Sequence, residues 1–483
     1  MKKPNNQTEI ARLKRELSDA NKQIKKLSKD SEKYQVKSKE KIAKLQKELK
    51  KKRRSESNID KRTRTITFEP IENHTYSEFI VRLSTMLYTR VKCGLRQVVK
   101  ILDVLNDIFE GLLGTIPCYN SVENWVKKCG LQVYETSSKT LHGTEYAEIV
   151  DESMFIGSEK LLVTLGIPAE HQGRPLNCAD ASILGIAVAK SWSGEGVKDE
   201  LRKASAKVGH DPNYIVSDNA SIMEKGVRCA EFNHHRDISH SLGMFLEREY
   251  KIEADFVEYL KLMSESKRKH NMKKTAYLLP PTQRTISRFL NLSGWVKWSS
   301  KMLEVYHSLN PDEREVFSYI PANASLIDEL TQVMLCISRI EYICKHKGLS
   351  QETIGECRKE IQKHLFLGNS RMVNLGDSIS QFLKKEAMLL GEDITARNNS
   401  SDVIESLFGV YKSRKSPNKL NGITSFILFV PIYTQLHDNL KSKKFDFKKA
   451  LEEIRMKHID EWAKENLTPN LVQLRIKRLG KTA

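Results

Sequence analysis

YAEIVDE (146–152) and NYIVSDN (213–219) decide the fold of this chain. Each is a short apolar run that stops at an acid, Asp151 in the first and Asp218 in the second. Runs of this kind, bounded by polar or small residues, predict strands. Between them stand EKLLVTLGI (159–167), closed by Pro168, and SILGIAVAK (182–190), two more strands. GVKDELRKASAKVG (196–209) then predicts a helix ending at Gly209. After Asp218, NASIMEKGVRCAEF (219–232) predicts another helix, and HHRDIS (234–239) a short piece leading into the helix HSLGMFLEREYK (240–251). Three strands in series, then a helix, a strand and a helix, predict an α/β fold with a mixed sheet and helices on its faces. An acid ending a strand also serves as a turn former or a cap, and Asp218 before Asn219-Ala220-Ser221 carries that plainer reading too.

Outward from this core the chain is helical. In residues 251–395, Leu326, Leu330, Val333, Ile337 and Ile340 recur at steps of four and three, and Asn310-Pro311 and Ser350 read as helix starts. This block is an insertion or a separate domain, and its Trp295 and Trp298 read first as core residues. RNNSSDVIESLFGVYKSRK (397–415) returns to a helix that carries a third acid, Glu405. FILFVPIYT (426–434) is apolar and must pack against something, and FKKALEEIRMKHIDEWAKEN (447–466) leads to a basic tail.

On the other side, residues 73–135 predict three helices, over 76–91, 95–113 and 121–130, the last capped by Ser121 and Gly130. With Asn124, Lys127 and Lys128 on its open face and Val122, Trp125 and Val126 turned inward, the third suits a helix-turn-helix whose second helix enters a DNA major groove. A small helical bundle with no such role would look the same. Residues 1–64 hold 23 Lys and Arg against 9 Asp and Glu, which is +14 of the chain's +19. Such an arm can neutralise phosphates, and it can equally be a solvated helix. Ile10, Leu13, Leu17, Ala20, Ile24 and Leu27 step by three and four, the seam of a coiled coil, so self-association as a dimer is expected. A lone helix is the alternative.

The eight cysteines show no CxxC pair and read as free thiols. No run approaches the eighteen or so uncharged apolar residues of a membrane span, and MKKPNNQTEI is not a signal peptide, so a cytoplasmic, nucleoid-associated protein with no membrane partner and no small-molecule substrate is expected.

Three carboxylates held a few Å apart repel, and one would protonate unless a cation joined them. Mg²⁺ or Mn²⁺ takes such hard oxygen ligands, and two ions roughly 3.5–4 Å apart can activate an attacking oxygen and stabilise a leaving one. The order strand-Asp151, two strands, helix, strand-Asp218, then helical Glu405 resembles the RNase H-like catalytic core of DDE transposases, the enzymes of bacterial insertion sequences. Asp237-Ile-Ser-His240 resembles the [C/D]xxH motif some of these families carry, and Lys412, seven residues after Glu405, is similar to their E-x6-K pattern. The likeness covers about a quarter of the chain, residues 145–250 and 396–415. Asn398 and Ser401 stand where one large group has Tyr and Arg, and the 187 residues from Asp218 to Glu405 require an inserted domain.

The resemblance implies a basic coiled-coil arm and linker (1–64), a helix-turn-helix-like DNA-binding domain (65–140), the two parts of an RNase H-like core (141–250 and 396–440) around an all-helical insertion (251–395), and a basic helical tail (441–483). It implies metal-dependent cleavage at element ends and strand transfer, with Asp151, Asp218 and Glu405 as metal ligands and double-stranded DNA as partner. Lys412, Arg414 and Lys415 would hold phosphates, Asp237 and His240 would stand near the site, and Trp295 or Trp298 could stack on a flipped base. The plainer alternatives are a solvated face for the basic residues, core packing for the tryptophans, and a zinc site from His234, His235, His240 and Asp237. For the whole chain the rivals are a non-catalytic DNA-binding regulator, another RNase H-like nuclease, and a coiled-coil scaffold.

Overall fold

A computed structural model describes residues 14–23, 25–26, 70–153, 155–156, 159–282, 289, 292–391, 395–415, 422–469 and 471–480. The chain divides into two units, Met1–Thr67 and Phe68–Ala483. In the first, the described residues are helical and exposed. Of the proposed seam only Leu17 and Ala20 lie among them; the other seam residues fall outside the described part.

The second unit opens with helices α1 (Glu78–Thr89), α2 (Leu95–Ile108) and α3 (Tyr119–Thr136). The sheet follows: β1 (Tyr146–Glu152), β2 (Lys160–Pro168), β3 (Ser182–Ala189), helix α4 (Gly194–Val208), β4 (Ile215–Ser217), helix α5 (Ser221–Cys229) and β5 (His234–Arg236). The strand order is β3-β2-β1-β4-β5, with β1, β2 and β3 antiparallel in series and β4 and β5 parallel to β1. Gly209, at φ +90°, ends α4 as its sequence position suggested.

The two faces of the sheet bury different neighbours. Ala147 and Ile149 of β1 and Val216 of β4 share one hydrophobic core with α1–α3, the later Glu405 helix and the C-terminal segments. Val150, Leu162 and Ile215 face the opposite way, onto Val197 and Leu201 of α4 and Met223 and Val227 of α5. This is strand alternation. The expected domains 65–140 and 141–250 therefore have a core in common.

Two sequence expectations are corrected here. β5 was expected only as a short irregular piece; its residues pair with all three of β4, from Ile215 with His234 to Ser217 with Arg236. Gly130 was expected to cap α3, but the helix runs through it to Thr136. A Cβ at Gly130 would lie 1.9 Å from the Leu428 carbonyl oxygen, so glycine serves a close crossing of helix and chain.

Helix α6 (Ile238–Tyr250) leaves the sheet and enters a second core. That core is built by helices including α7 (Ala254–His270), α8 (Leu292–Val305), α9 (Ala324–Lys347), α10 (Gln351–His364) and α11 (Ser370–Leu390). All five periodic residues from Leu326 to Ile340 are buried in it, Asn310 and Ser350 cap helices, and Trp295 is buried against Phe256 and Tyr259. The chain then returns through α12 (Asp402–Arg414), which packs on β1. FILFVPIYT forms a 3-10 turn and the helix Phe429–Leu436, both packed on α3. All eight cysteines are free, and five are buried. Among the described residues, no helix is long and apolar enough to cross a membrane.

Candidate active site

The register of β1 and β4 brings two of the acids level. Ile149 pairs with Val216 in parallel, and both face the larger core. Two residues further along the chain stand Asp151, still in β1, and Asp218, one residue past β4, which alternation directs to that same face. Neighbouring strands lie about 4.8 Å apart, so the two carboxyls meet at one corner of the sheet. Burial, and next the charge of Asp218, push the Asp151 carboxyl well above the usual carboxylate range. Burial also raises Asp218, although the Ala220 N–H, donating to its Oδ1 at 3.0 Å, opposes the shift. That bond makes Asp218 a turn former as well; the cap of α5 is Ala220.

Glu405 comes from α12, whose Val403, Ile404, Leu407, Phe408 and Tyr411 are buried. This apolar stripe holds the helix against the sheet and leaves Glu405 in its first turn, half-exposed, at the same corner. The Glu405 charge adds to the upward push on Asp151. His240, in the first turn of α6, stands between these groups. Its Nε2 is 3.3 Å from Glu405 Oε1 and its Nδ1 is 3.0 Å from Asp237 Oδ1. The Asp237 hydrogen bond first, and then the charges of Asp237, Glu405 and Asp218, push the imidazole up to about 9 against the effect of burial.

Asp237 is the joint of the site. It is fully buried and caps α6 by accepting the His240 N–H at 2.7 Å. Its other oxygen accepts the Ser401 N–H at 2.6 Å and the Ser401 hydroxyl at 3.0 Å, just ahead of α12. Its own N–H donates to Ser217 O at 2.8 Å, at the end of β4. One carboxylate thus links the strand before Asp218, the helix of His240 and the helix of Glu405. Burial opposes its ionisation, but the His240 and Ser401 bonds outweigh this and hold Asp237 below the usual range.

The insertion also reaches this corner. Lys345 of α9 forms an ion pair with Asp402 at 2.7 Å, and Glu341 accepts the Ser239 hydroxyl at 2.7 Å. Glu386 of α11 binds the buried His235 at 2.6 Å. The histidines have separate partners: His234 meets Ser217 Oγ at 2.8 Å, His235 meets Glu386, and His240 meets Asp237 and Glu405. This arrangement overturns the zinc alternative. Glu152 pairs with Lys160, and its charge adds to the upward push on Asp218.

Among the described residues, no three His, Cys, Asp or Glu side chains stand close enough to form a ready-made metal cage. The chemistry of the donor set still fits a hard dication. Two half-buried carboxyls are driven toward their neutral forms by desolvation and by neighbouring acids, Asp218 and Glu405 acting on Asp151 and Glu152 and Asp237 on Asp218, and a cation would remove that cost.

The basic residues divide. Lys412 lies within electrostatic reach of Asp151 and Glu405, and burial lowers it against their pull. Lys127, Arg414 and Lys415 line one cavity of about 1610 Å³. Lys128 faces away, near Arg455 and His74, and Asn124 does not reach that cavity. Trp295 is enclosed by aromatic rings, which overturns base stacking for it; Trp298 is half-buried, with Nε1 donating to Leu278 O at 2.9 Å. Comparison with protein-family models and with curated proteins gives no match to this chain.

Proposed function

We propose that this chain is a transposase that cuts DNA at the ends of a mobile element and joins those ends to target DNA. One observation carries the reading: Asp151, in β1, and Asp218, one residue past β4, each follow by two residues the paired Ile149 and Val216 of adjacent parallel strands, and the helix of Glu405 is packed on that same face. The strand order β3-β2-β1-β4-β5, with a helical Glu returning after an inserted domain, supports an RNase H-like core.

Mg²⁺ or Mn²⁺, held by Asp151, Asp218 and Glu405, would supply activation of the attacking oxygen and stabilisation of the leaving one. The sheet holds the two aspartates at a fixed separation, which suits a reaction that depends on alignment. Asp237 fixes Glu405 and His240 relative to Asp218 through Ser401 and Ser217. His240, charged at neutral pH, neutralises Glu405 and supplies a cation beside the incoming phosphate. Lys412 adds a second positive charge on the Glu405 face of α12, nearly two turns away. No nucleophilic side chain is required, because water and then a DNA 3′-hydroxyl attack in line.

The test is cleavage of the DNA that flanks the chain's own coding sequence. The purified protein with Mg²⁺ should cut it at defined positions, and Asp218→Asn should not. Equal cutting by that variant, or DNA binding with no cutting under any divalent cation, would remove the reading, the second result in favour of a regulator.

A further inference from the structure

We propose that the groove between α2, α3 and the end of α12 holds the backbone of the duplex leading away from the scissile phosphate. The inference rests on the transposase reading and names where its DNA runs. The groove is about 1610 Å³ and, among the described residues, is lined by Lys92, Arg96, Lys127, Arg414, Lys415 and Lys464 against Glu123 and Asp460. These cations come from four separate segments of the chain. Lys127 is partly neutralised by Glu123 at 2.5 Å. The remaining excess is that of a polyanion site.

Two of the cations are held in place. The Arg96 guanidinium lies over the Tyr119 ring at 5.2 Å, and that of Arg414 over Tyr88 at 4.4 Å and Phe429 at 4.9 Å. Stacked guanidinium planes lose little freedom when they bind phosphate. The start of α2 opens on the same groove; Gln97 Oε1 accepts the Gly94 N–H at 2.8 Å, and the Gly94 N-cap itself offers no side-chain oxygen to the N–H groups that follow. The far wall is fixed as well. Glu159, from the β1–β2 connection, accepts the Ile423 N–H at 2.8 Å and the Thr468 hydroxyl, and both Ile423 and Thr468 line the groove.

Position selects the occupant. Glu405 and Arg414 are nine residues apart on one helix, about 14 Å along its axis at 1.5 Å per residue. At 3.4 Å per base pair this is about four base pairs. Lys412 lies between, on the acids' side. A duplex cut at the acids would thus lay its fourth or fifth phosphate among these cations.

The test uses the full chain carrying Asp218→Asn, so that binding is measured without cutting. Arg96→Glu with Lys464→Glu, both at exposed positions, is compared with Lys198→Glu with Lys203→Glu on α4. The neutral pair Arg96→Gln with Lys464→Gln checks that any loss follows charge. The ligands are labelled duplexes from the flanking DNA, ending at the mapped cut, and an unrelated duplex of equal length. The groove variant should bind the flank about tenfold or more weakly, and its log–log salt slope should be shallower by about two, one per lost phosphate contact. The α4 variant should match the parent. Shortening the flank below about four base pairs should abolish the difference. An unchanged slope, a loss confined to the unrelated duplex, or a loss independent of flank length would overturn the assignment. Normal cutting by the chain that keeps Asp218, with an unchanged slope in the groove variant, would leave the transposase reading standing without the groove; a reduced slope on uncut flanking duplex, where the chain that keeps Asp218 never cuts, would leave the groove without the reaction.

Discussion

Asp237→Asn is the most informative single change in this protein. The carboxylate accepts four hydrogen bonds: His240 N–H at 2.7 Å, His240 Nδ1 at 3.0 Å, Ser401 N–H at 2.6 Å and Ser401 Oγ at 3.0 Å. An amide keeps one acceptor oxygen and turns an NH₂ toward the other two donors. The Ser401 hydroxyl can rotate and the imidazole can become neutral, but a backbone N–H cannot adapt. One buried backbone donor left unpaired costs about 1–3 kcal/mol, and the lost bonds between charged partners about 1.5–3 kcal/mol. The sum, about 2.5–6 kcal/mol, brackets the usual cost of about 3–5 kcal/mol for breaking a buried ion pair. Urea denaturation should show it. Its pH dependence is the sharper signature. His240 is raised from 6.5 to about 9, so its contribution is complete below pH 6.5 and disappears as pH rises through about 9. Asp237 is lowered, so its own contribution is complete above the ordinary carboxylate value of 3.8. The difference between wild type and variant should therefore be largest between about pH 4 and 6.5 and shrink toward pH 9. A difference under about 1 kcal/mol, well short of that sum, or one equal at pH 6 and pH 9.5, would refute the joint described here.

Other changes separate packing from chemistry. Glu148 lies fully buried in β1, and burial pushes it up to about 8. Between about pH 4.5 and 8 the native chain holds a proton that the unfolded chain has lost, so stability falls with rising pH, and Glu148→Gln should remove that slope and be the more stable form at pH 9. Lys345→Met breaks the 2.7 Å pair with Asp402 at a partly exposed position; stability should change by under about 1 kcal/mol. Cutting should nonetheless slow several-fold at unchanged DNA affinity, and Lys345→Arg should restore it. Gly130→Ala places a methyl 1.9 Å from the Leu428 carbonyl oxygen and should cost about 3 kcal/mol in thermal or urea unfolding.

The legible parts of the site were those with a local signal. Asp151 and Asp218 end apolar runs, and the alternation of Ile149 and Val216 fixes which face each acid takes. The Asp237–His240 spacing marks a helix start, since a cap bonds to the N–H three residues on. β5 carried no such signal, because His234, His235 and Arg236 show no apolar alternation. Its central His235 is buried with partners far along the chain: Glu386, 151 residues later, and Arg397, 162 residues later, meet its two ring nitrogens. Ser401 was visible only as the position where a familiar Arg was missing; its role needs Asp237, 164 residues away. The groove was half visible, as Lys127 and as Arg414-Lys415, with nothing in the spacing to bring the two together.

By itself, then, the sequence determined β1 to β4, the helical segments and the acids Asp151 and Asp218 that follow two apolar runs, since strand alternation, helix periodicity and caps act over a few residues. The tertiary structure alone decided which distant groups share a charge. Asp237 with Ser401 is a pairing across 164 residues, Lys345 with Asp402 joins two separate helices, and the six cations of one groove come from four segments of the chain. Only packing of apolar faces, which constrains position without naming partners, could bring them within reach of Coulomb and hydrogen-bond forces.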